Sequence, residues 1–132
     1  MTHQVLISLA SNYDQEQNLH QARLCLAQIL SSCHYTESIW TEPFSSPLPC
    51  GEGVSSSVKV MYLNQLVYAK TTLTVDDLQS ALKEMELRLG RTADDRSKGI
   101  VRIDLDLLQY DHQRYHLRDW ERPYVKDLLL SS

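Results

Sequence analysis

Asp104 and Asp106 are the residues of this 132-residue chain whose type and spacing most directly promise chemistry. In an extended strand, positions i and i+2 share a face and stand about 6.5–7 Å apart. Ile103, Leu105 and Leu107 alternate with them and would bury the opposite face, which fixes the register. Two carboxylates displayed side by side repel each other unless a cation lies between them. Magnesium suits the position, because it takes hard oxygen ligands and shares them with substrate phosphates. The plainer alternative is a solvated strand face neutralised by Arg102 and nearby lysines. A second feature is basic: Arg88, Arg91, Arg96, Lys98 and Arg102 surround the segment that feeds this strand. Guanidinium groups hold phosphate in a fixed fork. Carboxylates beside arginines are what metal-assisted phosphoryl transfer requires. The competing reading is a solvated charged loop, since Asp94 and Asp95 lie in it as well. No Gly-x-x-x-x-Gly-Lys motif occurs, so a P-loop is excluded.

The elements that must position these groups follow from hydrophobic periodicity. A first strand is expected at 5–9, followed by a polar stretch at 11–17. Leu19, Ala22, Leu26, Ile29 and Leu30 then fall at helical spacing, and the helix should end near Ser32. A second strand is expected at 33–42. Residues 43–57 carry three prolines, two glycines and five serines, and form a loop. A loop of that length is either a functional lid or a tolerated insertion. Residues 58–70 read as a long strand. Thr74 is placed to cap a helix with Asp76 and Asp77 in its first turn. Leu78, Ala81, Leu82, Met85 and Leu89 give that helix its apolar stripe, and Gly90 its stop. After a polar loop at 91–99, residues 100–110 form the strand with the aspartates. A last helix is expected at 120–130, with Pro123 in its first turn. The order βαββαβ plus a helical tail predicts a ferredoxin-like α+β fold, an antiparallel sheet with both helices on one face.

Length and composition set outer bounds. The chain reads as one domain over 1–132, with 42% hydrophobic and 23% charged residues. Seventeen acidic against thirteen basic side chains give a net charge of −4, which argues against a general nucleic-acid binder. No apolar run is long enough to span a membrane, and residues 1–12 lack the basic region of a secretory signal. A cytoplasmic location is expected. Cys25, Cys33 and Cys50 are odd in number and form no Cys-x-x-Cys, so reduced structural thiols are expected. Oligomeric state is open on sequence, with a monomer the expectation.

Five segments in order identify a resemblance. They are Ser8-Leu9-Ala10-Ser11-Asn12, Trp40-Thr41-Glu42-Pro43, Tyr62-Leu63-Asn64-Gln65, Met85-Glu86-Leu87-Arg88-Leu89-Gly90-Arg91 and Arg102-Ile103-Asp104-Leu105-Asp106-Leu107-Leu108. Together the chain resembles the 6-hydroxymethyl-7,8-dihydropterin pyrophosphokinase family of the folate pathway, over nearly all of its length to Tyr110. The resemblance implies a ferredoxin-like fold and transfer of pyrophosphate from ATP to the hydroxymethyl group of the pterin, with release of AMP. It implies two magnesium ions on Asp104 and Asp106, and a pterin site formed by Pro43, Phe44, Tyr62, Asn64 and Tyr124. Tyr124 would stack on the ring. Glu86, Arg91 and Arg122 would belong to ATP, and Arg91 and Arg102 to catalysis. The 43–57 and 91–99 loops would close over the site.

This chain also departs from the family pattern. Ala10 stands where a glycine is usual, and Gly99-Ile100-Val101-Arg102 stands where Gly-Pro-Arg is usual, with the arginine one place later. Ala93 and Ser97 stand near positions that are commonly basic, and Glu42 replaces a threonine. The family's Pro-His segment has only His116 as an approximate match, and the tail is shorter. The departures leave a second reading: a family-like domain that binds a pterin, a nucleotide or a protein partner without efficient transfer. A ferredoxin-like regulatory or RNA-binding module is a third, weakened by the acidic charge and the lack of an aromatic sheet motif.

Overall fold

The computed structural model describes residues 2–41, 61–90 and 100–131. In chain order the elements are β1 (His3–Ser11), α1 (Gln15–Leu26), β2 (Ser31–Tyr35), β3 (Ile39–Thr41), β4 (Tyr62–Thr71), α2 (Val75–Arg88), β5 (Asp104–Tyr110), β6 (Gln113–Arg114), α3 (Leu117–Trp120) and α4 (Pro123–Ser131). Every strand pair among the described residues is antiparallel, in the order β2-β4-β1-β5-β6, with β3 also paired to β4. This is the ferredoxin-like α+β arrangement that the element order predicts.

The sheet is covered on both faces. On one, Val5, Ile7 and Leu9 of β1 join Leu105 and Leu107 of β5 under Leu19, Ala22 and Leu26 of α1 and Leu78, Leu82 and Met85 of α2. On the other, Leu6, Leu66 and Leu108 pack against Val125 and Leu128 of α4. Two-sided cover explains why β1 is buried without a break from Val5 to Ser11, rather than in alternation. The last helix begins at Pro123, where a missing N–H costs nothing. It leaves one end of its sheet face open, and the cavity described below lies there.

Local boundaries differ from periodicity in several places. Helix α1 begins four residues before Leu19, because its first turn (Gln15, Glu16, Gln17) is polar and invisible to apolar spacing. It ends at Leu26, and a turn closed by the bond from Leu30 N–H to Leu26 O leads straight into β2. The single strand expected at 33–42 is two, within the described residues up to Thr41. Thr36 is buried, and its Oγ1 accepts from Leu66 N–H at 3.1 Å, a place a ladder carbonyl would take. The pairing then passes from Tyr35 opposite Val67 to Ile39 opposite Asn64, so four steps on one strand meet three on the other. The strand expected from 100 starts at Asp104. Ahead of it the Asn12 side chain takes the ladder's role: Val101 N–H donates to Asn12 Oδ1 at 2.6 Å and Asn12 N–H donates to Val101 O at 2.9 Å.

Helix α2 follows expectation closely. Thr74 Oγ1 accepts from Asp77 N–H at 3.2 Å, and Asp76 and Asp77 face the positive end of the helix. Gly90 sits at φ 113, a backbone open to glycine and strained for other residues. A β-carbon there would lie 2.7 Å from Arg102 Cδ, so Gly90 also makes room for the arginine stem.

Candidate active site

Strand pairing assembles the floor of the cavity. Ala10 lies opposite Asn64 of β4 on one side and Asp104 of β5 on the other. Ser8 lies opposite Asp106. These residues, with Tyr62, share the sheet face away from α1 and α2, because Leu9, Leu105 and Leu107 between them are committed to the main core. Ile39 and Thr41 of β3 form one wall, and Asp119, Arg122, Pro123, Tyr124 and Asp127 close the other. The cavity volume is about 550 Å³, within the roughly 300–1,000 Å³ usual for small-molecule sites.

Asn64 is 3% exposed and strongly oriented. Its Nδ2 donates to Thr41 Oγ1 at 2.8 Å and to Ile39 O at 3.2 Å, with Tyr62 O at 3.4 Å. The amide donors are thereby spent on protein, and Oδ1 is the atom left to accept from a ligand. The kinked edge strand supplies both principal acceptors, so the Thr36 bulge is part of the site's construction.

The carboxylates form the opposite end. Burial, then the charge of Asp104, push Asp106 up to about 7; Asp119 and Glu86 add to the rise and His116 opposes it. His116 Nε2 lies 3.8 Å from Asp106 Oδ1. A group so disfavoured as an anion is one that a cation would relieve. Among the described residues no cluster of three His, Cys, Asp or Glu side chains has metal-ligating geometry. Magnesium is nonetheless suited to one or two carboxylates completed by substrate phosphates and water, so the donor set fits it.

Arg122 belongs to the wall opposite β3. It pairs with Asp119 at 3.2 Å and hydrogen-bonds Tyr124. Burial raises the Tyr124 phenol, and the Arg122 bond partly offsets this.

Six of the sequence-predicted site residues therefore meet around one cavity: Tyr62, Asn64, Asp104, Asp106, Arg122 and Tyr124. Two do not line it. Arg102 lays its guanidinium 4.6 Å from the Tyr13 ring centroid, with its stem over Gly90. Glu86 is 6% exposed, and its Oε2 accepts from Leu105 N–H at 2.7 Å. Pro43, Phe44 and Arg91, with the 43–57 and 91–99 loops, lie outside the described residues. Sequence reading gave no site role to Ser8, Ile39, Thr41, Asp119 or Asp127. Ser8 and Thr41 carried a signal, since both stand in the segments that carry the resemblance; Asp119 lies three residues before Arg122, which stands at the break between α3 and α4. His116 was matched only approximately, and its left-handed backbone (φ 53), which sets its direction, has no clear sequence mark.

Fold and cavity define a ferredoxin-like α+β domain with a cavity of small-molecule size at the open end of one sheet face. The family model of 7,8-dihydro-6-hydroxymethylpterin-pyrophosphokinase matches residues 6–131, and the chain belongs to that family, a family of transferases. It is also 28% identical over 135 residues to a folate synthesis bifunctional protein of Chlamydia caviae. That alignment covers 96% of this chain and 30% of the relative, so the chain spans under a third of the relative's length. No helix among the described residues is long and apolar enough to cross a membrane.

Proposed function

We propose that this chain transfers pyrophosphate from ATP to the hydroxymethyl group of 6-hydroxymethyl-7,8-dihydropterin and releases AMP. The observation that carries the reading is the spacing of two unlike ends on one rigid sheet. Asn64 offers an acceptor on β4, and the carboxylate pair stands on β5, two strand spacings or about 10 Å away. A flat heterocycle whose N–H groups meet Asn64 Oδ1 reaches across Ala10 and brings its hydroxymethyl oxygen towards the carboxylates. Tyr62 and Tyr124 supply apolar faces for the ring.

The hydroxyl oxygen attacks the β-phosphorus of ATP, the bond from that phosphorus to the α–β bridging oxygen breaks, and AMP leaves with that oxygen. The hydroxyl proton is lost to solvent. Asp104 and Asp106 would hold magnesium, two ions by the family pattern, which neutralises the triphosphate when bound. Arg122 donates to phosphate oxygens from the opposite wall, and Arg91 is proposed to do so from the 91–99 segment. Pro43 and Phe44 are proposed to cover the ring. Holding both substrates in one enclosed geometry supplies much of the rate.

Calorimetry tests the reading. The pterin is expected to bind the wild-type chain in the presence of magnesium and a non-hydrolysable ATP analogue, and each ligand should raise the thermal midpoint. Absence of pterin binding under those conditions contradicts it. The stacking of Arg102 on Tyr13, away from the cavity lining, favours the second reading of a binding domain with weak transfer. Binding of both ligands without AMP formation would support that reading.

A further inference from the structure

Strand β5 carries the carboxylate pair, yet β6 covers its outer edge only at Gln109 and Tyr110. Around Leu105 no strand among the described residues lies on that side. The backbone N–H of Leu105, the residue between Asp104 and Asp106, is instead held by Glu86 Oε2 at 2.7 Å. Glu86 sits in the last turn of α2, next to the buried Met85, and is itself buried. A buried carboxylate persists only where hydrogen bonds satisfy it, and a charge-assisted bond to a backbone N–H is about twice as strong as a neutral one. Leu105 is also anchored by its own side chain, which is 4% exposed in the main core.

From this arrangement we propose that Glu86 is a positioning residue. It replaces the missing neighbouring strand and sets the pitch of β5, and so the separation and aim of Asp104 and Asp106. The inference rests on the metal-binding reading of those aspartates. It differs from a direct nucleotide contact, because Glu86 acts through the Leu105 amide. Ligand geometry tolerates about 0.5 Å of error, and loss of an outer-shell partner typically costs 10–100-fold in metal affinity.

Two variants separate the bond from the charge. Glu86→Gln keeps the reach and an acceptor oxygen but removes the charge. Glu86→Asp keeps the charge and draws the oxygens back by one methylene. Mn²⁺ affinity is read by electron paramagnetic resonance, and Leu105 amide exchange by NMR without metal. Glu86→Gln is expected to hold Leu105 protection and keep Mn²⁺ affinity within about threefold of wild type. Glu86→Asp should lose protection and weaken Mn²⁺ binding about 10–100-fold. A Gln variant that loses Mn²⁺ affinity while the Asp variant keeps it would overturn the proposal, since charge and not reach would then matter. So would an Asp variant that loses Leu105 protection but binds Mn²⁺ as wild type does. A wild-type chain that binds no Mn²⁺ would overturn the metal reading together with this inference, a result distinct from both.

Discussion

Asp106→Asn is expected to lower pyrophosphate transfer by at least about 10³-fold and, without divalent cations, to make the protein more stable. The loss follows from removing one of two carboxylates proposed to hold the metal; metal stabilisation of transferring charge is worth several kcal/mol, and about 4 kcal/mol is a thousandfold. The gain follows from the environment of Asp106. Its folded-state value near 7 lies above the ordinary 3.8, so the folded protein binds an extra proton between those values. Wild-type stability therefore falls as pH rises from about 4 to about 7 and is level above that. Asparagine carries no such penalty. The difference should be absent near pH 3 and reach about 1–2 kcal/mol at pH 8, after screening of a side chain that keeps 29% exposure. Thermal scans in chelator at pH 3, 5 and 8 check the sign, and transfer assays check the loss. A variant that transfers normally, or one whose midpoint never exceeds wild type, would count against the assignment.

Asn64→Ala should weaken pterin binding about 30–100-fold and change ATP binding by less than about threefold. Removing the side chain deletes the acceptor aimed into the cavity, and it also leaves Thr41 Oγ1 and Ile39 O without their donor. Asn64→Asp is a sharper probe. It preserves size but turns the donor end into an oxygen facing the oxygens of Thr41, Ile39 and Tyr62. Its stability should fall by about 2 kcal/mol or more, because the buried charge then faces two carbonyl oxygens and only the Thr41 hydroxyl can donate to it. Separate titrations of pterin and nucleotide decide the matter: equal losses of both ligands would remove Asn64 from the pterin end.

The sequence made the frame of the site readable where one rule governed. Leu105 and Leu107 fix the face of Asp104 and Asp106, because a strand alternates. Thr74 and Gly90 bracket α2 because caps are local chemistry. What escaped were places where side chains replace backbone. Thr36 stands in for a carbonyl and splits the edge strand, Asn12 holds Val101 across 89 positions, and Glu86 holds Leu105. None of these leaves a periodic trace. The tail read as one helix from Trp120 to Leu130; the structure breaks it after Trp120 and starts the last helix at Pro123, and nothing local showed that it would cover the sheet face opposite α1 and α2. Arg102 belongs to the same class. Its change of place in the sequence is visible, whereas its stacking on Tyr13 depends on the space above Gly90.

Nucleotide product analysis tests the central claim most directly. The protein is incubated with ATP, magnesium and 6-hydroxymethyl-7,8-dihydropterin, and AMP and ADP are separated. AMP that forms only with the pterin present, in step with a pyrophosphorylated pterin, is the predicted result. ADP as the product, or no nucleotide turnover while both ligands bind, would contradict it.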